Sequence, residues 1–219
     1  MNLLVWQLID SAFPSGGFAH SAGLEAAVQH GRVVDGADVR AFAMQSLAQC
    51  GRTALPLVTA AHRGLDDIAE LDELCDVFLS NPVANRASRA QGRALLTSVA
   101  RAFPHAAVAP IEALMRHHGM TGHSAPLFGG LFNLLDVDLL DTQRAFLFIG
   151  SRGVSAAAVR LGLIGAYDAQ AIQADVSHRI DAVIHDCDAL RPHDIAQTAP
   201  LIDLFQSTHD RLYSRLFQS

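Results

Sequence analysis

Apolar side chains recur every three or four residues along most of this chain, the spacing that places them on one face of an α-helix. The clearest stripes lie within residues 39–54, 68–78 and 172–190, and charged or polar side chains occupy the opposite faces. The alternation typical of a half-buried strand is missing, and runs of β-branched residues are short. The pattern therefore predicts an all-α fold, a single-domain helical bundle of about eight to ten helices.

Residues that favour turns divide the chain at short intervals, and none of the connections resembles a flexible linker. The predicted breaks are residues 14–17, 33–36, 64–66, 81–82, 104–110, 119–122 and 191–200. Pro56 lies inside a helical pattern and is expected to split or kink it. Residues 143–161 are the most apolar stretch and are rich in small side chains, so we expect them to form the central helix. Asp141 is the predicted N-cap of that helix.

Composition and charge restrict the class of protein. Half of the 219 residues are hydrophobic, which is ample for a core, and no stretch reads as a membrane span or a signal peptide. The net charge of −6 argues against nonspecific nucleic-acid binding, so we expect a protein that binds neither nucleic acid nor membrane. The three cysteines are far apart and indicate reduced thiols in a cytoplasmic protein.

Searches for catalytic patterns give little. The glycine-rich segment 15–17 lacks the lysine and hydroxyl of a phosphate-binding loop, and no nucleophile elbow is present. His117, His118 and His123 are close in sequence, but adjacent histidines point to different faces of a helix. Surface histidines near a helix end are the favoured interpretation, and a histidine-based metal centre is the alternative.

Two arginines stand in the apolar central stretch, where a charge needs a partner. Arg144 and Arg160 either reach solvent, pair with a carboxylate such as Asp168, or lie on a surface that docks another protein. The C-terminal segment 209–219 raises a similar question, because chain ends are usually small and polar. Either the body of the protein or a partner must bury its large apolar side chains, Leu212, Tyr213, Leu216 and Phe217.

Two segments of the chain carry distinct motifs. Residues 13–25 read F-P-S-G-G-F-A-H-S-A-G-L-E, and residues 209–219 read H-D-R-L-Y-S-R-L-F-Q-S. The first is similar to the N-terminal signature of the urease accessory protein family UreF, and the second is similar to the C-terminal ending of that family. Weaker similarity covers residues 85–95 and 144–170, so the matches span nearly the whole chain in the family's order.

The resemblance implies an all-α UreF-like domain over residues 1–207 and a C-terminal partner-binding tail over residues 208–219. It implies a homodimer that binds the accessory protein UreD, also called UreH, and with it recruits the GTPase UreG to deliver nickel to apo-urease. Such a protein is not an enzyme but an accessory scaffold that modulates a GTPase, with no cofactor of its own. The alternative is a histidine-based nickel-binding chaperone.

The resemblance also implies roles for single residues. Glu25 matches a signature glutamate implicated in coupling to UreG, and Arg160 matches a basic position with the same implication. Arg144 matches a central-helix arginine, and Phe18 stands where the family has tyrosine. The tail is expected to order on binding UreD. The predicted partner-binding residues are Phe18, Glu25, Arg144, Arg160, Tyr213, Ser214, Arg215, Leu216 and Phe217. Arg160 is not expected to be an arginine finger, because some relatives carry lysine there.

Overall fold

The computed structural model describes residues 3–104 and 108–219, and it confirms the predicted all-α class. The described residues form eleven α-helices and no β-strand. The two shortest helices, α1 and α2, are too brief to show a clear period in the sequence. The bounds are α1 Leu3–Ile9, α2 Leu24–Gln29, α3 Gly36–Thr53, α4 Leu55–Arg63, α5 Ile68–Phe78, α6 Pro82–Ala102, α7 Ala109–His118, α8 Ser124–Leu134, α9 Leu139–Arg160, α10 Ala166–Cys187 and α11 Pro200–Thr208.

The helix boundaries follow the local sequence. Pro56 separates α3 from α4 and lies in the first turn of α4, where its missing N–H is not needed, so the predicted split is confirmed. The predicted Asp141 cap of the central helix is wrong. Asp138 has the extended backbone of an N-cap, and its carboxylate accepts a hydrogen bond from the Asp141 N–H at 2.8 Å. Residues 105–107, within one predicted break, lie outside the described residues.

Helix α9 is central, as predicted, and packs against α1, α2, α3, α4, α8 and α10. Two adjoining clusters of buried apolar side chains form the core. One surrounds α4 and α8, and the other lies between α3, α9 and α10. Phe146 of α9 contacts both clusters and joins them. No helix among the described residues is long and apolar enough to cross a membrane.

A buried carboxylate holds the turn between α7 and α8. Asp72 of α5 is 1% exposed and accepts hydrogen bonds from the backbone N–H groups of Thr121, Gly122 and His123 at 2.6, 3.0 and 2.7 Å. The Thr121 hydroxyl adds a fourth bond at 3.0 Å. Gly92 of α6 packs against the same turn so closely that a Cβ there would overlap the Gly122 carbonyl oxygen. The turn is therefore fixed from two sides.

Candidate functional site

The two terminal motifs meet on the surface of the protein. The signature segment, residues 13–25, includes a 3₁₀ turn and the start of α2, and the tail, residues 209–219, follows α11. The Ser21 N–H donates to the Ser219 carbonyl at 2.6 Å, and the Gln218 N–H donates to the Ala19 carbonyl at 2.8 Å. These main-chain bonds join the two ends of the chain. We call residues 18–25, Arg160 and residues 209–219 the tail site.

Glu25 lies beneath the tail. Its side chain is 2% exposed, and its carboxylate accepts hydrogen bonds from the N–H groups of Leu216 at 2.6 Å and Phe217 at 3.2 Å. The fully buried His209 ring donates a third bond from Nε2 at 3.0 Å. Because the carboxylate lies inside the protein, a partner can reach Glu25 only through the tail that covers it.

A glycine lets the signature segment approach α11. Gly23 precedes α2 with a φ of 89°, a left-handed conformation that favours glycine. A Cβ at this position would lie 3.1 Å from the backbone nitrogen of Gln206 and from the carbonyl oxygen of Ile202. The glycine therefore brings α2, with Glu25 in its first turn, against the helix that carries the tail.

Arg160, the last residue of α9, connects the two motifs. Its guanidinium carbon lies 4.0 Å from the centre of the Phe18 ring and 4.2 Å from the centre of the Phe217 ring. Its Nη1 also donates to the Phe18 carbonyl at 2.6 Å. The suggested pairing with Asp168 is wrong, because the Asp168 carboxylate accepts from the backbone at the start of α10. Two cation–π contacts therefore hold Arg160 between signature and tail.

The tail divides its apolar side chains between the body and solvent. Phe217 is 5% exposed and belongs to the core cluster of α3, α9 and α10. Tyr213 is fully exposed, Leu216 is 52% exposed and the neighbouring Phe18 is 71% exposed. The body of the protein thus buries Phe217, whereas the other side chains leave an aromatic and aliphatic surface facing water, and their burial by a partner stays a prediction.

Polar contacts fix the outer part of the tail. Arg86 of α6 donates to both carboxylate oxygens of Asp210 at 2.9 and 2.7 Å, and this bond holds the pKa of Asp210 below its usual range. Arg215 contacts the same carboxylate at 3.4 Å. The Ser214 carbonyl accepts from the Gln29 side chain at 2.8 Å. Arg215 and Ser214 keep their side chains at the surface.

Arg144 does not join the tail site. Its guanidinium forms a two-pronged pair with Asp181 of α10 at 2.7 and 2.8 Å, and both side chains are largely exposed. Arg144 and Arg160 are separated by about 24 Å along α9, since a helix rises about 1.5 Å per residue. Arg144 therefore lies at the other end of α9 from the tail site.

The histidines considered for a metal centre do not converge. His123 is fully buried, and its two ring nitrogens contact the Asp76 carboxylate and the Ser88 hydroxyl, each at 3.0 Å. His117 and His118 lie at the end of α7 and contact each other edge to face. In residues 3–104 and 108–219 no group of three His, Cys, Asp or Glu side chains is placed to hold a metal ion.

The sequence did not single out two histidines that the structure holds in the tail site, His20 and His209. The His20 ring contacts the Ser219 hydroxyl at 2.5 Å, and burial, with a smaller effect of nearby His209, lowers its pKa. Both histidines stand inside the two terminal motifs, so their place in those motifs was the available signal. Their partners lie at the other end of the chain, and spacing alone cannot reveal such contacts.

Comparison with known proteins adds an independent observation. A family model described as UreF matches residues 33–177. The chain is 37% identical to a protein named urease accessory protein F from Oryza sativa, over 97% of this chain and 83% of that protein. It is 34% identical to the protein of that name from Arabidopsis thaliana, over 98% and 91%, and 30% identical to urease accessory protein UreF of an Arthrobacter strain, over 100% and 97%.

Proposed function

The chain belongs to the UreF family of urease accessory proteins, and we propose that it serves urease maturation as a dimeric scaffold in the cytoplasm. With UreD, also called UreH, it recruits the GTPase UreG and couples GTP hydrolysis to nickel insertion into apo-urease. It is an accessory protein that modulates a GTPase and is not itself an enzyme. Nickel is cargo of the assembly and is not a resident cofactor of this chain.

The observation that carries this proposal is the convergence of the two family motifs at the tail site. Large apolar side chains are exposed on both segments, Phe18 on the signature segment and Tyr213 and Leu216 on the tail. Arg215 directly precedes Leu216 in the tail and is exposed as well. Aromatic residues and arginine dominate the binding energy of protein interfaces. A surface of this composition, formed by the family's own motifs, fits a protein partner, and we assign it to UreD.

A binding experiment tests this assignment. Purified UreD and GTP-loaded UreG from the same organism are mixed with full-length protein or with a chain ending at Arg211. Full-length protein is expected to form the ternary complex, whereas the shortened chain is not. If the chain without residues 212–219 binds UreD as well as the full-length protein does, the assignment of the tail to UreD fails.

Point variants sharpen the result, because Tyr213 and Leu216 are exposed and their removal should leave the fold intact. Tyr213→Ala and Leu216→Ala together are expected to weaken UreD binding by at least about tenfold. The matched control is Leu3→Ala on α1, which removes another exposed apolar side chain, 83% exposed, outside the tail site. Equal binding by the control and the double variant would contradict the proposed surface.

The position of Arg160 supports recruitment rather than direct catalysis of GTP hydrolysis. Its guanidinium is held between two rings and bonded to a backbone carbonyl, whereas an arginine finger must reach the transferred phosphate. Arg160→Lys preserves the positive charge near the rings, so we expect UreG recruitment and GTP hydrolysis in the complex to change less than about threefold. A loss of about a thousandfold in the rate would instead indicate a finger.

A further inference from the structure

We infer that Glu25 is a positioning residue whose buried carboxylate holds the C-terminal tail in its docked register, and that it acts on partners only through the tail. This inference rests on the proposed function where it concerns UreD. Its first part, the docking of the tail by Glu25, concerns the isolated chain and can be tested without UreD.

The geometry of the carboxylate carries the argument. Each oxygen of Glu25 accepts a backbone N–H of the tail, Oε1 from Leu216 and Oε2 from Phe217. The third donor, His209, also belongs to the segment that follows α11. All three bonds therefore join α2 to the tail, and hydrogen bonds to a charged acceptor are the stronger kind.

The environment makes these bonds hard to replace. Glu25 is 2% exposed, and no arginine among the described residues lies within salt-bridge distance of it, so the tail supplies the hydrogen-bond donors to its carboxylate. An ionised carboxylate without such donors is costly to bury. His209 is fully buried as well, and its Nδ1 has no hydrogen-bond partner in the part of the chain that the structure describes. Within residues 3–104 and 108–219, Glu25 is thus the hydrogen-bond partner of that ring.

The register in which the tail docks determines which of its side chains a partner contacts. The N–H groups bound by Glu25 are those of Leu216 and Phe217, so the same bonds that place Phe217 against Arg160 leave Leu216 facing solvent. The position of the tail depends on these contacts and on the main-chain bonds that join Ser21 to Ser219 and Ala19 to Gln218.

Hydrogen exchange measured by mass spectrometry on the full-length protein tests the first part. In Glu25→Ala, a peptide covering residues 212–219 is expected to exchange at least about tenfold faster, with the peptides of α8 and α9 unchanged. Glu25→Gln keeps one acceptor oxygen but sets an amide against N–H donors, so its tail should exchange at an intermediate rate. Unchanged exchange in both variants would overturn the inference.

A tail variant keeps the test valid even where a substitution at Glu25 harms folding. Leu216→Pro removes the N–H that Oε1 accepts, at an exposed residue outside the body of the protein. It should release residues 217–219 as Glu25→Ala does. Tyr213→Pro introduces the same ring at a fully exposed position and is expected to leave exchange at Phe217 protected. Equal release by the two proline variants would count against a specific role of the Glu25 bond.

UreD titration tests the second part. If Glu25 only raises the population of docked tail, Glu25→Ala raises the apparent Kd for UreD in inverse proportion to the docked fraction that exchange gives for each variant, and saturating UreD restores full UreG recruitment. A recruitment defect that persists at saturating UreD would mean that Glu25 acts by direct contact instead.

These arms separate the two claims. Release of the tail with unchanged UreD binding would leave the role of Glu25 in docking intact and refute the assignment of the tail to UreD. A docked tail in every Glu25 variant would refute the positioning role whatever UreD does.

Discussion

Two buried carboxylates in this protein perform the same local task with different consequences. Asp72 binds three consecutive N–H groups of the turn before α8, and Glu25 binds two consecutive N–H groups of the tail. The side chains are 1% and 2% exposed. Both use backbone donors in place of an arginine, and each has a fully buried histidine nearby, His123 or His209.

The difference lies in what each carboxylate holds. The turn at residues 121–123 joins two helices and stays in place through the chain on both sides, with Gly92 packed against it. The tail follows α11 and is held by the Glu25 bonds and by main-chain bonds to the signature segment. The His123 ring has partners for both nitrogens, whereas one nitrogen of His209 has no hydrogen-bond partner among the described residues. We therefore expect the turn to open only with the global fold, and the tail to open without unfolding the rest.

The largest expected effect comes from removing Asp72. Asp72→Ala deletes the acceptor of four hydrogen bonds within the core and should lower the free energy of unfolding by about 3–5 kcal/mol. Denaturant unfolding followed by circular dichroism measures this loss. The matched control is Glu73→Ala on the exposed face of the same helix, with an expected change within about 0.5 kcal/mol. A loss below about 1 kcal/mol in Asp72→Ala would contradict the global role of this turn.

Gly92 gives the next largest effect, on the opposite side of the same turn. An added Cβ would overlap the Gly122 carbonyl oxygen and lie 2.8 Å from the carbonyl carbon of His123. Backbone atoms cannot move aside cheaply, so Gly92→Ala should destabilise the protein by about 2–3 kcal/mol. Gly150→Ala in α9 meets no atom within 4 Å and should stabilise it by about 0.5–1 kcal/mol. Thermal unfolding of both variants should show shifts of opposite sign.

The same contrast explains what the sequence could predict. The stripe on α10 places Ile172, Val176, Ile180 and Ile184 in the core because helix periodicity depends on local spacing alone. The split at Pro56 was predictable for the same reason. Asp72 stands in an acidic run, residues 66–73, and nothing local distinguishes its one buried carboxylate from its exposed neighbours.

The tail site shows the same limit. Its residues were found through similarity to family motifs, and the expected partner-binding roles remain predictions. The contacts that organise it join residues far apart in the sequence, such as Glu25 with Leu216 and Arg160 with Phe18. Spacing rules describe neighbours on one helix, so they do not predict these pairings.

Phenylalanines in the two regions provide a smaller and more local test. Phe217→Ala removes the ring that Arg160 contacts, and its cost is limited to the free energy of tail docking, because a released tail leaves the body folded. We expect a loss of at most about 2 kcal/mol in unfolding free energy and fast exchange confined to the tail. Phe132→Ala, at a fully buried position in α8, should cost about 3–5 kcal/mol. Similar losses in both variants would show that the tail is not an independent unit.

The smallest expected effect is a change in tail docking with pH, which distinguishes the tail from the turn before α8 in the unsubstituted protein. Burial, together with nearby His209, lowers the pKa of His20, which contacts the Ser219 hydroxyl in the docked tail. The released tail leaves His20 closer to its ordinary pKa of 6.5. Docking is therefore fully favourable above pH 6.5 and weakens as the pH falls from there toward the lowered value, because the released state binds the proton more readily.

Near the turn before α8, hydrogen bonds from Asn85 and His123 lower the pKa of Asp76 below its ordinary 3.8. The Asp76 carboxylate therefore stays ionised, and keeps its contact with His123, to much lower pH. Exchange protection factors measured between pH 7.5 and 5 should fall for residues 212–219 and stay constant for residues 121–127. His20→Asn, which cannot titrate, should flatten the dependence in the tail. An equal pH dependence in the tail of His20→Asn would show that His20 is not the responsible group.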